Sequence, residues 1–260
     1  MKRLALALLA GPLVACTGTA GGDTFEFSAF ARGVEPTNSN GAYAFGTSLG
    51  WQVELTHARL HVGALYLNRS VPSSVASNTS CVLQGVYVAE VPGSADVDLL
   101  SADEQPFLVK GHATTERARA GELWLFGRDP YEVKDPTILL EIEGRARKAS
   151  DEFEFEGAVT ISKNRLLPPP NVAAPGAKPI CKQRVVSPIP VDLRGSPGER
   201  LLLAVDAAGM FQNVDFAELE LVPGGAGRRR FADDSSNQPS DNLFNGLRAS
   251  AGVYAISWEK

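Results

Sequence analysis

From residue 24 onward, hydrophobic positions recur mostly with a period of two, the pattern of strands that bury one face. Residues 152–163 show it most clearly. Phe153, Phe155, Gly157, Val159 and Ile161 fall on one side, and Glu152, Glu154, Glu156, Thr160 and Ser162 on the other. Charge on one side and bulk on the other predicts a half-buried antiparallel strand. Residues 24–32 read as a first strand, with Phe25, Phe27 and Ala29 alternating against Glu26, Ser28 and Phe30. Further strands are expected over 85–91, 122–126, 137–145, 184–193, 199–205 and 252–258, with Gly, Pro, Asn and Ser clusters between them. Sustained 3.6-residue periodicity is absent beyond the first twenty residues; 97–104 and 213–219 have room for a helical turn or two.

Residues 51–67 carry a more particular signal. Trp51, Val53 and Leu55 are apolar at odd positions, whereas Ala58, Leu60, Val62, Ala64 and Tyr66 are apolar at even ones. The face therefore switches near Thr56 and His57, as it does where a strand bulges or passes from one sheet to another. These patterns together predict an all-β protein, an antiparallel β-sandwich spanning 24–260 as one domain. Long loops are expected at 68–81, 166–183 and 223–246. The proline-rich piece from Leu166 to Pro179 cannot serve a central ladder and is expected to cross the surface.

The first residues are of another kind. Lys2 and Arg3 precede an uncharged, mostly apolar run from Leu4 to Val14. That run is too short for a hydrocarbon core, which needs roughly 20 helical residues, and it has the flanks of an export signal. Its end, Leu13-Val14-Ala15-Cys16, resembles the lipobox of bacterial lipoproteins. The resemblance covers residues 1–16 only. It implies a signal peptide over 1–15 and a diacylated Cys16 as the mature N-terminus. The partner it implies is a membrane, reached through acyl chains at the bacterial cell envelope. Thr17, in place of the Asp that retains such proteins at the inner membrane of enteric bacteria, favours the outer membrane. An ordinary signal cut after Ala20 would instead discard Cys16. Residues 17–23 are small and polar, suited to a flexible linker.

Composition adds boundaries. The chain has 260 residues and a net charge of −5, which becomes about −7 without Lys2 and Arg3. Such a balance offers no basic face for nucleic acid and no attraction to anionic headgroups. Beyond Cys16 only Cys81 and Cys181 remain, an even pair in an oxidising compartment, and a disulfide between them is expected.

Candidate chemistry is sparse. The histidines are His57, His61 and His112. A transition-metal site for Zn or Cu would have to draw on these. Yet His57 and His61 on one strand would lie about 13 Å apart, too far to share an ion. With Arg59 they form an outward polar stripe. Glu152, Glu154 and Glu156 have carboxylate spacing compatible with glycosidase work, but belong to a regular exposed face. The run Arg228-Arg229-Arg230 with Asp233 and Asp234 lacks EF-hand spacing for Ca²⁺ and reads as a solvated loop. No nucleophile elbow, zinc-protease helix, P-loop or dinucleotide fingerprint occurs. The leading expectation is a non-enzymatic envelope lipoprotein presenting a β-sandwich to an envelope protein or a small ligand, with no obligatory cofactor. Two alternatives stand beside it: a periplasmic Cu or Zn binder using the histidines, and a polysaccharide hydrolase.

Overall fold

A computed structural model describes residues 22–38, 40–71, 85–130, 132, 135–161, 184–234 and 237–260. Cys16, Cys81 and Cys181 lie outside them, as do residues 17–21 of the expected linker 17–23, most of the expected loop 68–81 and all of the expected loop 166–183.

The fold is all-β. Its strands in chain order begin with β1 (Thr24–Phe27), β2 (Ala29–Arg32), β3 (Tyr43–Gly46), β4 (Gln52–Val62), β5 (Ala64–Asn68) and β6 (Tyr87–Val91). There follow β7 (Ala95–Asp98), β8 (Gln105–Pro106), β9 (Gly111–Thr114), β10 (Arg117–Trp124), β11 (Ile138–Lys148) and β12 (Asp151–Thr160). The last are β13 (Val185–Arg194), β14 (Arg200–Val205), β15 (Glu220–Leu221), β16 (Arg229–Phe231) and β17 (Tyr254–Glu259).

They form three hydrogen-bonded sheets rather than the two expected. A six-stranded sheet has the order β1-β9-β6-β5-β10-β13, and a four-stranded sheet the order β17-β14-β2-β8. A seven-stranded sheet runs β15-β16-β12-β11-β4-β3, with β7 also paired to β4. Most pairs are antiparallel; β12 with β16 and β14 with β2 are parallel.

The apolar faces meet in one core. Phe27 of the six-stranded sheet sets its ring edge-on to Trp258 of the four-stranded sheet, 4.7 Å between centroids. The seven-stranded sheet buries Phe155 against Phe216, at 5.0 Å, within a group that includes Trp51, Phe211 and Phe231. Phe211 and Phe216 arrive on two 3₁₀ turns, Ala207–Phe211 and Phe216–Glu218, each capped by an aspartate, Asp206 or Asp215. Asp215 also accepts a hydrogen bond from the Trp51 indole at 3.2 Å, so one carboxylate caps a turn and satisfies a buried N–H.

Several details depart from the periodicity. Residues 24–32 do not form one strand: the chain breaks at Ser28, and β1 and β2 enter different sheets. Ser28 offers its carbonyl to Leu201 N instead. Residues 97–104 are not helical; Ala95–Asp98 adds to β4, whose backbone groups it satisfies. The expected loop 223–246 holds β16 and a helix, α1 (Gln238–Leu247). Asn237 caps this helix by accepting from Ser240 N at 2.9 Å, Pro239 stands in its first turn, and Leu243, Phe244 and Leu247 are buried. The 3₁₀ turn at Phe216–Glu218 falls inside the expected helical stretch 213–219.

The path through 51–67 does both things its sequence suggests. Against β11, His57 pairs with Glu143 and Leu55 with Gly144, which leaves Thr56 as the extra residue of a bulge. Beyond Val62 the chain leaves the seven-stranded sheet, and Ala64–Asn68 pairs within the six-stranded one. Gly63 is the hinge between them. Its N–H donates to Trp124 O at 2.8 Å, and a Cβ there would lie 2.6 Å from the carbonyl oxygen of Phe126.

Arg184, fully buried, opens β13. Its guanidinium donates to the Asp129 carbonyl at 2.8 Å and to that of Glu132, and it pairs with Asp135 at 3.4 Å. Asp135 in turn accepts from Gly127 N and Thr137 N. This knot fastens the segment joining β10 to β11.

Two outcomes follow. Gly63→Ala forces backbone apart at the hinge and should cost about 1–3 kcal/mol, read as a lowered Tm in thermal unfolding. Arg184→Leu strands the Asp135 carboxylate and should cost about 3–5 kcal/mol in urea titration.

Candidate functional site

The outward stripe of β4 lies where its sequence places it. His57, Arg59 and His61 point away from the core, alternating with buried Ala58, Leu60 and Val62. His57 Nε2 lies 3.5 Å from Glu141, whereas His61 Nδ1 and Arg59 both contact Asp96, at 2.8 and 3.0 Å. Burial works against the Asp96 charge, but His61 and Arg59 outweigh it and hold the carboxyl below its usual range. His112 belongs to a different sheet, on β9 between Glu26 and Glu90. The three imidazoles therefore do not converge. Among the described residues no group of three or more His, Cys, Asp or Glu side chains is arranged to hold a metal ion.

The acidic stripe of β12 is spent on ion pairs. Glu152 contacts Arg145 and Arg147 of β11 at 3.2 and 3.1 Å. Glu154 and Glu156 face Arg228 at 3.7 and 3.0 Å. Arg229 turns inward, donates to the Ala217 and Leu219 carbonyls at 2.8 Å, and stacks over the Phe153 ring. Asp233 accepts from Thr160 N at 2.7 Å and pins the end of β12. These are the bonds of a solvated charged face.

A different set of polar groups gathers on the outer face of the six-stranded sheet. Its register aligns Glu26 with His112, His112 with Glu90, Glu90 with Tyr66, and Tyr66 with Glu122. Side chains of directly paired residues share a face. Glu26, His112, Glu90, Tyr66 and Glu122 thus form one row across five strands, about 19 Å long at roughly 4.8 Å per strand. The row runs from the exposed edge at Glu26 into the protein at Glu122, which is 0% exposed.

Among the described residues, the groups that reach the Glu122 carboxyl are neutral. Asn68 donates through Nδ2 to one carboxylate oxygen, and the Tyr87 hydroxyl donates to the other at 3.3 Å. Trp124 Nε1 stops short of a closed hydrogen bond; it and Asn68 Oδ1 are buried without one. Burial pushes the Glu122 carboxyl up to about 7, against the pull of Trp124, Tyr87 and Asn68, which favour the charged form. Tyr66 and Tyr87 pack their rings 4.8 Å apart, and Tyr66 meets Trp124 edge-on at 6.3 Å. Burial first, and then the charges of Glu122 and Glu90, raise both phenols above their ordinary range, so both stay neutral.

Beside this cluster lies a cavity of about 460 Å³, within the range of small-ligand sites. Thr24, Glu26, His112, Thr114 and Glu90 line it, and Tyr87 forms the wall between it and Glu122. None of these residues except His112 stands out in the sequence. The available signal was Glu122 itself, a lone carboxyl among Ala118, Ala120, Leu123, Trp124 and Leu125. Asn68 opens a glycosylation triplet with Arg69 and Ser70, but its burial withdraws it from any such use.

No family model, curated protein or solved structure matches this chain.

Glu122 sets a pH dependence whose sign is fixed by its raised value. Below about 4.5 the carboxyl is protonated folded and unfolded alike. As pH rises towards 7 the unfolded chain releases a proton that the folded one keeps, and stability falls; above 7 the loss levels off. The full loss is about 3 kcal/mol from a shift between 4.5 and about 7. Glu122→Gln keeps the shape and removes the charge. Urea titrations should find the variant more stable at pH 8, with its lead over wild type about 2 kcal/mol greater there than at pH 5. A lead independent of pH would assign the titration to another group.

Proposed function

We propose that this protein is a lipid-anchored envelope protein that works by binding, with the outer face of the six-stranded sheet as its binding surface. The observation that carries the tether is the basic start and apolar run ending in Leu13-Val14-Ala15-Cys16. A small, polar stretch separates that cysteine from β1, which begins at Thr24 and is the edge strand of the sheet that carries the cavity. Acyl chains on Cys16 would hold the body beside a bilayer without any spanning segment; two chains suffice for stable attachment where one does not. No helix among the described residues is long and apolar enough to cross a membrane.

Binding is favoured over catalysis by the disposition of the acids. Glu122 has the proton affinity of a general acid, yet no exposed surface from which to meet a substrate. The carboxylates of β12, the other acidic pairing, are held in ion pairs with Arg145, Arg147 and Arg228. A site that presents a cavity, an aromatic wall and fixed carboxylates, with the most perturbed acid sealed behind it, suits recognition of a ligand.

The test is fractionation and intact mass of the full chain expressed in a bacterium with a lipoprotein pathway. The native chain should sediment with membranes and carry acyl mass on a mature N-terminal Cys16. Cys16→Ser should leave it soluble. An unmodified mature protein starting at Gly21 ends the proposal.

A further inference from the structure

We propose that the cavity between β1, β9 and β6 binds a large organic cation, a substituted ammonium group held between the Glu26 and Glu90 carboxylates and the Tyr87 ring. The inference rests on the binding reading above and names the chemistry of its ligand.

Charge supports it first. Glu26 and Glu90 line the cavity, Glu122 stands behind its Tyr87 wall, and neither Lys nor Arg is among the lining residues. Lys110 reaches Glu26 at 3.8 Å without lining the cavity, and both members of that pair are well exposed. An exposed pair of this kind leaves most of the carboxylate's field uncompensated in the cavity.

Burial supports it independently. Arg184, a fully buried charge elsewhere among the described residues, has its counter-ion in Asp135. Glu122 has none among the described residues: only neutral donors reach it, while Trp124 Nε1 and Asn68 Oδ1 beside it lack hydrogen-bond partners. A buried carboxylate without a counter-charge is costly, and a cation seated on the far side of Tyr87 would offset part of that cost.

Size and chemistry then select among cations. A bare metal ion needs several close ligands, and no such group exists among the described residues. About 460 Å³ is ample for an alkylammonium head and its substituents. Weakly hydrated cations of this type are attracted by electron-rich aromatic faces, and Tyr87 stays an uncharged phenol packed at a tilt against Tyr66. Thr24 and Thr114 supply hydroxyls for a polar substituent.

The experiment titrates the full chain, in non-ionic detergent at pH 8 and low salt, with choline and with its neutral isostere 3,3-dimethylbutan-1-ol, observed by ligand saturation-transfer NMR. Choline should bind at least about tenfold more tightly than the isostere, since charge and cation–π attraction are absent from the latter. Glu90→Gln and Glu26→Gln, both at surface positions of the sheet, should each weaken choline several-fold and leave the isostere unchanged. Equal binding of the two probes, no binding of either, or choline binding indifferent to both substitutions overturns the proposal. Circular dichroism of each variant reports whether the fold is kept. Intact mass of the same preparation reports lipidation separately, so a failed tether and a failed cation site give different results.

Discussion

The chain between Gln52 and Asn68 must serve two sheets, and it does so at Gly63, where the backbone passes too close to Phe126 for any side chain. The hydrogen bond from Gly63 N to Trp124 O docks the next segment against β10 at that point. From there the register runs without interruption: Ala64 opposite Trp124, Tyr66 opposite Glu122, Asn68 opposite Ala120. A slip of one residue would turn Tyr66 and Asn68 into the core and Leu65 and Leu67 out of it. The hydrophobic contacts of Leu65 and Leu67 therefore hold in place the polar groups around Glu122. Core packing and site geometry are two faces of one ladder.

The protein treats charge differently on its two large sheets. On the seven-stranded sheet, cross-strand neighbours of opposite sign sit opposite one another, as Arg145 does with Glu154 and Arg147 with Glu152. Such exposed pairs contribute little to stability, but they keep a broad face soluble and discourage sheet-to-sheet association. On the six-stranded sheet Asp192 is likewise paired with Arg117 and Arg119 at the β10–β13 end, but the acids of the row from Glu26 to Glu122 line up with a histidine and a tyrosine. There the charges remain available, and one of them is sealed from water at a cost. A folded domain tolerates such a cost only within the small margin of its total stability. The proposed binding surface rests on that row.

Much of the architecture was legible in the alternation. The half-buried strand at Asp151–Thr160, the outward stripe of His57, Arg59 and His61, and the bulge at Thr56 all follow from side chains that alternate across a pleated strand. Short-range chemistry that competes with this pattern was harder to see. The chain from Thr24 to Arg32 alternates without a break in sequence, yet Ser28 divides it, because β9 and β14 compete for its two halves. The helix Gln238–Leu247 carried its own marks, an Asn cap, an early proline and Leu243, Phe244 and Leu247 at helical spacing. They were obscured by the polar residues around them, whose composition resembles a loop.

What the sequence alone determined is the strand-built class and the inward and outward faces of its clearest strands; it also carries the lipobox-like tetrad on which the proposed tether rests. Each depends on residues near one another in the chain, so local periodicity and local motif suffice to read it. Which strands become neighbours was decided only in three dimensions, by backbone pairing among segments as far apart as Ala29 and Leu201. The row from Glu26 to Glu122 exists for that reason alone. Its five residues come from five strands, and none carries in its own neighbourhood the record of the others, because a carboxylate's proton affinity and a cavity's shape are properties of what folding brings beside them.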